Sequence, residues 1–235
     1  MKNKFLNILI LISISIISLI TLTGCDAFPE ENKENRINEK SIAELEYVED
    51  SVFNITNKYA KGEYLKDDSL NWDDILKDEK RINEVLETII LDLSEVNIKK
   101  EDVVKISTEL NNLLTITIEE NESELLFKLQ SLYSLVPNFL EQFSDNKIEN
   151  ENKKLKSMAL LSYAYANNEA WEEAKNSIND TINKYNELIN DTEYLKEEDY
   201  KTNRIYILLG EIKSAIDLEN LELTKLKFVN FIEKI

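Results

Sequence analysis

Turn formers are nearly missing from this chain: after residue 25 its only glycines are Gly62 and Gly210, and its only prolines are Pro29 and Pro137. Sheet proteins reverse direction often, and glycine and proline supply the backbone angles that reversals need. A body from Asp26 to Ile235 without them is left with long, uninterrupted elements. Its abundance of Glu, Lys, Leu, Ile and Asn makes those elements helices.

Apolar residues recur at helical spacing in eight stripes. The first holds Ile42, Leu45, Val48, Val52, Ile55 and Tyr59 and ends near Gly62. The second opens near Trp72, with Asn71 as its N-cap, and carries Ile75, Ile82, Leu86 and Ile89. Val103, Ile106, Leu110, Leu113 and Thr117 form the third, and Leu125, Leu129, Leu132, Tyr133 and Val136 the fourth, with a kink expected at Pro137. Four more follow, around Leu155 to Ala166, Trp171 to Leu188, Ile205 to Ile216 and Leu221 to Ile232. No segment alternates with a period of two, so essentially no sheet is expected. The fold class is all-α: an antiparallel helical bundle or a short array of helical hairpins.

The N-terminus is of another kind. Lys2 and Lys4 precede an almost wholly apolar run, Phe5 to Leu22, and no acidic residue occurs before Asp26. This is the layout of an export signal. The run closes on Leu22-Thr23-Gly24-Cys25, which resembles the lipobox of bacterial lipoproteins. The resemblance implies cleavage between Gly24 and Cys25 and diacylglycerol on the Cys25 thiol, placing the body on the extracytoplasmic face of the cell membrane. Two acyl chains anchor firmly where one is marginal. The competing reading is an uncleaved spanning helix, for which 18 apolar-rich residues sit at the lower limit.

The expected organisation is a signal peptide over 1–24, the lipidated cysteine and a flexible polar tether over 25–37, a first helical half over 38–144 and a second over 148–235. The charged stretch Asp145 to Asn152 marks the interior boundary. Trp72-Asp73-Asp74 recurs as Trp171-Glu172-Glu173, and Ile118-Glu119 as Ile216-Asp217. Two similar halves would explain this, but two acidic helical segments also match by chance, and the duplication stays open. Leu161, Tyr165, Trp171, Ala174 and Ile178 follow the spacing of a tetratricopeptide helix pair, and the segment is similar to one. It departs where Glu169 fills the turn glycine, and no neighbouring 34-residue copy follows, so a peptide-binding array is not implied.

Charge and missing residues exclude several chemistries. The chain carries 28 basic and 46 acidic residues; without Lys2 and Lys4 the body sets 26 against 46. Such a surface repels phosphate backbones and anionic lipid, so no nucleic-acid partner is expected and the membrane is reached only through the lipid. Histidine is absent and Cys25 is the sole cysteine, which removes Ser-His-Asp and Cys-His catalysis and any Cys/His zinc site. No glycine-rich phosphate loop is present, and no cofactor is expected. Paired carboxylates such as Glu119-Glu120 read as solvated faces, so no enzyme is expected. Asp145, Glu149 and Glu151 are a candidate cation cluster that lacks the spacing of a calcium loop.

Aromatic residues gather around the middle boundary. Tyr133, Tyr163 and Trp171 are the candidate binding groove for a peptide or glycan, set against the favoured reading in which they pack the seam between halves. The stripe through Leu161 and Tyr165 sets Tyr163 partly off the core face. The expected function is a lipid-anchored binding or scaffold module for an envelope protein or peptide. The alternative is a solute- or cation-binding lipoprotein of an uptake system, and the third reading is a carboxylate-based enzyme.

Overall fold

The computed structural model describes residues 30–95, 100–143, 146–190 and 199–235, with side chains described over 39–91, 101–143, 146–190 and 203–235. The export signal, the Gly24–Cys25 cleavage site and Asp145 lie outside the described residues. The chain divides into two compact units, Met1–Asn38 and Glu39–Ile235. In the first, the described part belongs to helix α1 (Glu30–Ala60). The tether expected through residue 37 is thus helical from Glu30. Glu30 and Glu31 directly follow Pro29, and acidic residues behind a proline suit a helix start.

The second unit holds the rest of α1 and a ribbon of β1 (Leu65–Lys66) and β2 (Ser69–Leu70). Then follow α2 (Trp72–Glu95), α3 (Lys100–Ile118), α4 (Glu122–Leu140), α5 (Lys147–Asn167), α6 (Trp171–Leu188), α7 (Asp199–Asp217) and α8 (Leu221–Lys234). The all-α expectation holds, and among the described residues eight helices coincide with the eight stripes. In the ribbon Leu65 pairs with Leu70 and Lys66 with Ser69, across a turn in which Asp67 and Asp68 both take positive φ. Pro137 sits inside the last turn of α4. Both expected halves lie within one compact unit, and α5 opens behind Asn146, whose side chain accepts from the Glu149 N–H at 3.2 Å.

The described helices pair into four hairpins built on one plan. Each first helix ends on a residue in the left-handed region: Gly62 (φ +70°), Glu120 (+57°), Glu169 (+57°) and Glu219 (+50°). Each end makes the same two backbone bonds of a Schellman motif. At the first, the Gly62 N–H reaches the Tyr59 carbonyl (3.0 Å) and the Glu63 N–H that of Lys58 (2.8 Å). At the third, Glu169 reaches Ala166 and Ala170 reaches Tyr165, both at 3.0 Å. The last three turns fall 49 and 50 residues apart.

Burial follows the same register. Counting back 14, 10, 7 and 3 residues from each turn gives Val48, Val52, Ile55 and Tyr59; Ile106, Leu110, Leu113 and Thr117; Leu155, Ala159, Ser162 and Ala166; Ile205, Leu209, Ile212 and Ile216. All sixteen are buried. Counting 3, 7 and 10 residues into each second helix gives Ile75, Glu79 and Ile82; Leu125, Leu129 and Leu132; Ala174, Ile178 and Thr181; Thr224, Phe228 and Phe231. All twelve are buried. The repeating unit is therefore one hairpin.

Candidate functional site

Of the three aromatic residues expected to line a groove, Tyr133 and Tyr163 are fully buried and Trp171 packs half-buried against the core at the start of α6. They pack core and do not meet in one groove. The placement of Tyr163 partly off the core face is corrected: α5 buries Leu160, Tyr163 and Ala164 together with Leu155, Ala159, Ser162 and Ala166 of the expected stripe, while Met158, Leu161 and Tyr165 are only half-buried. Tyr163 stacks on Phe228 of α8, with ring centroids 4.8 Å apart and planes at 24°. Its hydroxyl has no hydrogen-bond partner among the described residues, and burial pushes its pKa far up. Tyr163→Phe is expected to leave stability unchanged or to raise it by up to about 1 kcal/mol in urea unfolding, since it removes only a stranded hydroxyl.

Tyr133 belongs to a polar knot. Its hydroxyl donates to Glu49 Oε1 at 3.1 Å, and its ring meets Phe53 edge-on at 4.6 Å. Glu49 Oε2 accepts from Lys153, and Lys156 approaches Glu49 Oε1 at 3.5 Å. One carboxylate of α1 thus holds two lysines of α5 and a tyrosine of α4. Burial opposes the Lys153 charge, but the Glu49 and Glu149 carboxylates hold its pKa above the ordinary value. Glu151, also buried, is held by Lys154 and Lys184, each at 3.0 Å. Glu149 and Glu151 therefore serve structural ion pairs and do not converge on a cation. Among the described residues no group of three or more His, Cys, Asp or Glu is placed to hold a metal ion. Glu119 and Glu120 are exposed at the α3–α4 turn.

A concavity lies at the hairpin ends. A cleft of about 730 Å³ runs between the Leu65–Asp73 loop and the turn after α3. Asp67, Asp68, Asp73, Glu120 and Glu122 line it with Lys66, Leu70 and Trp72. Among the described residues none of these five carboxylates is ion-paired; Glu122 accepts a hydrogen bond from the Tyr59 hydroxyl at 2.8 Å. Such a rim excludes phosphate and other anionic ligands. Sequence reading missed the cleft because its parts come from two segments about 50 residues apart. The one local signal was the Asp67-Asp68 pair in an otherwise helical stretch.

No family model, no curated protein and no solved structure matches the chain. Among the described residues no helix is long and apolar enough to cross a membrane.

Proposed function

We propose that the chain is an extracytoplasmic lipoprotein, anchored through lipid on Cys25, whose helical body is a binding or scaffold module for an envelope protein or peptide. The observation that carries the reading is the joining of Leu22-Thr23-Gly24-Cys25 to an all-α body of stacked hairpins. Hairpin stacks present extended faces and loop ends, which suit recognition of another chain. The cleft at the Leu65–Asp73 loop is one concave part of that surface.

Cys25→Ser tests the anchor. In cells fed an alkyne-tagged palmitate, the wild-type chain is expected to take up label and partition into detergent. The variant is expected to do neither and to accumulate as the longer precursor. Unchanged processing and partition of the variant would end the anchor reading. Crosslinking the anchored wild type in intact envelope is expected to capture a discrete protein partner; capture of none counts against the binding module.

A further inference from the structure

Glu79 breaks the register on which the fold is built. Seven residues into their second helices, the other hairpins hold Leu129, Ile178 and Phe228, all fully buried. The first holds a carboxylic acid at the same depth, with no exposed surface. Its Oε1 accepts from the Thr117 hydroxyl of α3 at 2.6 Å, and its Oε2 has no hydrogen-bond partner among the described residues. Thr117 is a register departure too: three residues before their turns, α5 and α7 hold Ala166 and Ile216. Other register positions hold hydroxyls too, at Ser162, Thr181 and Thr224, but Glu79 is the one acid among them, and it meets the Thr117 hydroxyl.

We propose that Glu79 is a protonation latch between α2 and α3: the pair stays closed while the carboxyl carries a proton and opens when the proton leaves. A carboxylate sealed in the core beside a single hydroxyl is an uncompensated buried charge, which costs far more than the neutral acid. The charged groups around it do not supply the missing cation. On α1, Lys58 is bound to Asp78 at 2.7 Å; on α2 itself, Arg81 also turns to Asp78, at 3.5 Å. The Tyr64 hydroxyl faces both acids and donates to Asp78 at 2.8 Å. Asp78 thus gathers the available donors, and its pKa lies below the ordinary value although burial opposes this. For Glu79 burial dominates, and the pKa is pushed up to about 8.

The sign follows. The closed form keeps its proton up to about pH 8, whereas the opened form loses it above its ordinary value of 4.5. Stability from the neutral acid is complete below about pH 4.5, erodes as pH rises between the two values, and is lost above about 8. Each pH unit in that window multiplies the opening constant by roughly ten. The inference goes beyond the proposed function and does not depend on the anchor.

Hydrogen exchange read by peptide mass spectrometry on the full chain, corrected for intrinsic rates, tests it. Between pH 5.5 and 7.5, peptides of α2 and α3 are expected to gain about a hundredfold in opening, with α6 and α7 as internal references. In Glu79→Gln, which keeps the shape without the acid, the pH dependence of α2 and α3 is expected to vanish. Glu79→Leu with Thr117→Ala, matching the apolar register of the other hairpins, should be equally flat and guards against a misfolded single variant. A wild-type pH response that persists in both variants, or that is absent from α2 and α3, overturns the proposal.

Discussion

Glu49→Ala is expected to destabilise the folded chain by about 3–5 kcal/mol, because truncating one member of a buried ion cluster strands the others. The side chain is nearly sealed, and it alone joins Lys153, Lys156 and Tyr133 across three helices. Its loss leaves an ammonium group at Lys153 in a low-dielectric setting and a phenol without an acceptor. Glu149, the other carboxylate at Lys153, is 3.4 Å away and half exposed, and replaces little of the attraction. Glu49→Gln retains an acceptor for Tyr133 while losing the charge, and should fall between wild type and alanine. Joint replacement by Glu49→Leu and Lys153→Met should recover much of the loss, because desolvation and attraction nearly cancel in such pairs. Urea unfolding followed by far-ultraviolet circular dichroism reads all three. A loss below about 1 kcal/mol for alanine would mean that the cluster is open to water, contrary to the burial seen here.

The helices were legible because the sequence leaves them no competitor. Few turn formers and a 3.6-residue period act locally, and Asn71 announces α2 through a reciprocal bond with Asp74, Nδ2 to Oδ2 at 2.7 Å. The turns were less legible. Three hairpins use glutamate where glycine is the common choice, so a search for glycine passes over Glu120, Glu169 and Glu219. Replacement of the turn glycine by Glu169 looked like a departure from the tetratricopeptide pattern, yet the backbone there takes the left-handed angle regardless. Of the two sequence matches, Trp72 with Trp171 lies 99 residues apart, the spacing that the turns at Glu120 and Glu219 set, whereas Ile118 with Ile216 lies 98 apart and slips by one; the unit of packing is a hairpin rather than a half.

The candidate site was read less well, for a physical reason. A helical period names the middle of a buried face and not its width. Width depends on how many neighbours a helix has, which is a property of the assembled fold. Tyr163 lies beyond the edge of the Leu161–Tyr165 stripe and is nevertheless enclosed. Glu49 and Lys153 look like ordinary surface charges in a chain that is 31% charged. Their pairing joins residues 104 apart and has no local sign.

Phe228→Ala is the other large expected effect, and it probes the last hairpin as Glu49→Ala probes the first. The ring is fully buried, occupies the register position of Leu129 and Ile178, and stacks on Tyr163. Removing it deletes apolar contact on both helices and leaves a cavity walled by Tyr163, whose hydroxyl is already stranded. An aromatic-to-alanine change in a tight core costs about 3–5 kcal/mol. At the start of α8 Asn220 accepts from the Leu223 N–H at 3.0 Å, and near its end Glu233 meets Lys61, just past α1, in an exposed pair at 2.8 Å. Phe228→Leu keeps the apolar volume in part and loses only the stack, so a cost nearer 1–1.5 kcal/mol is expected. Hydrogen exchange should show the alanine defect first in α8 and in the C-terminal turns of α5, with α2 and α3 unaffected at constant pH. Equal losses for alanine and leucine would show that the Tyr163 stack, and not the filled volume, holds α8 in place.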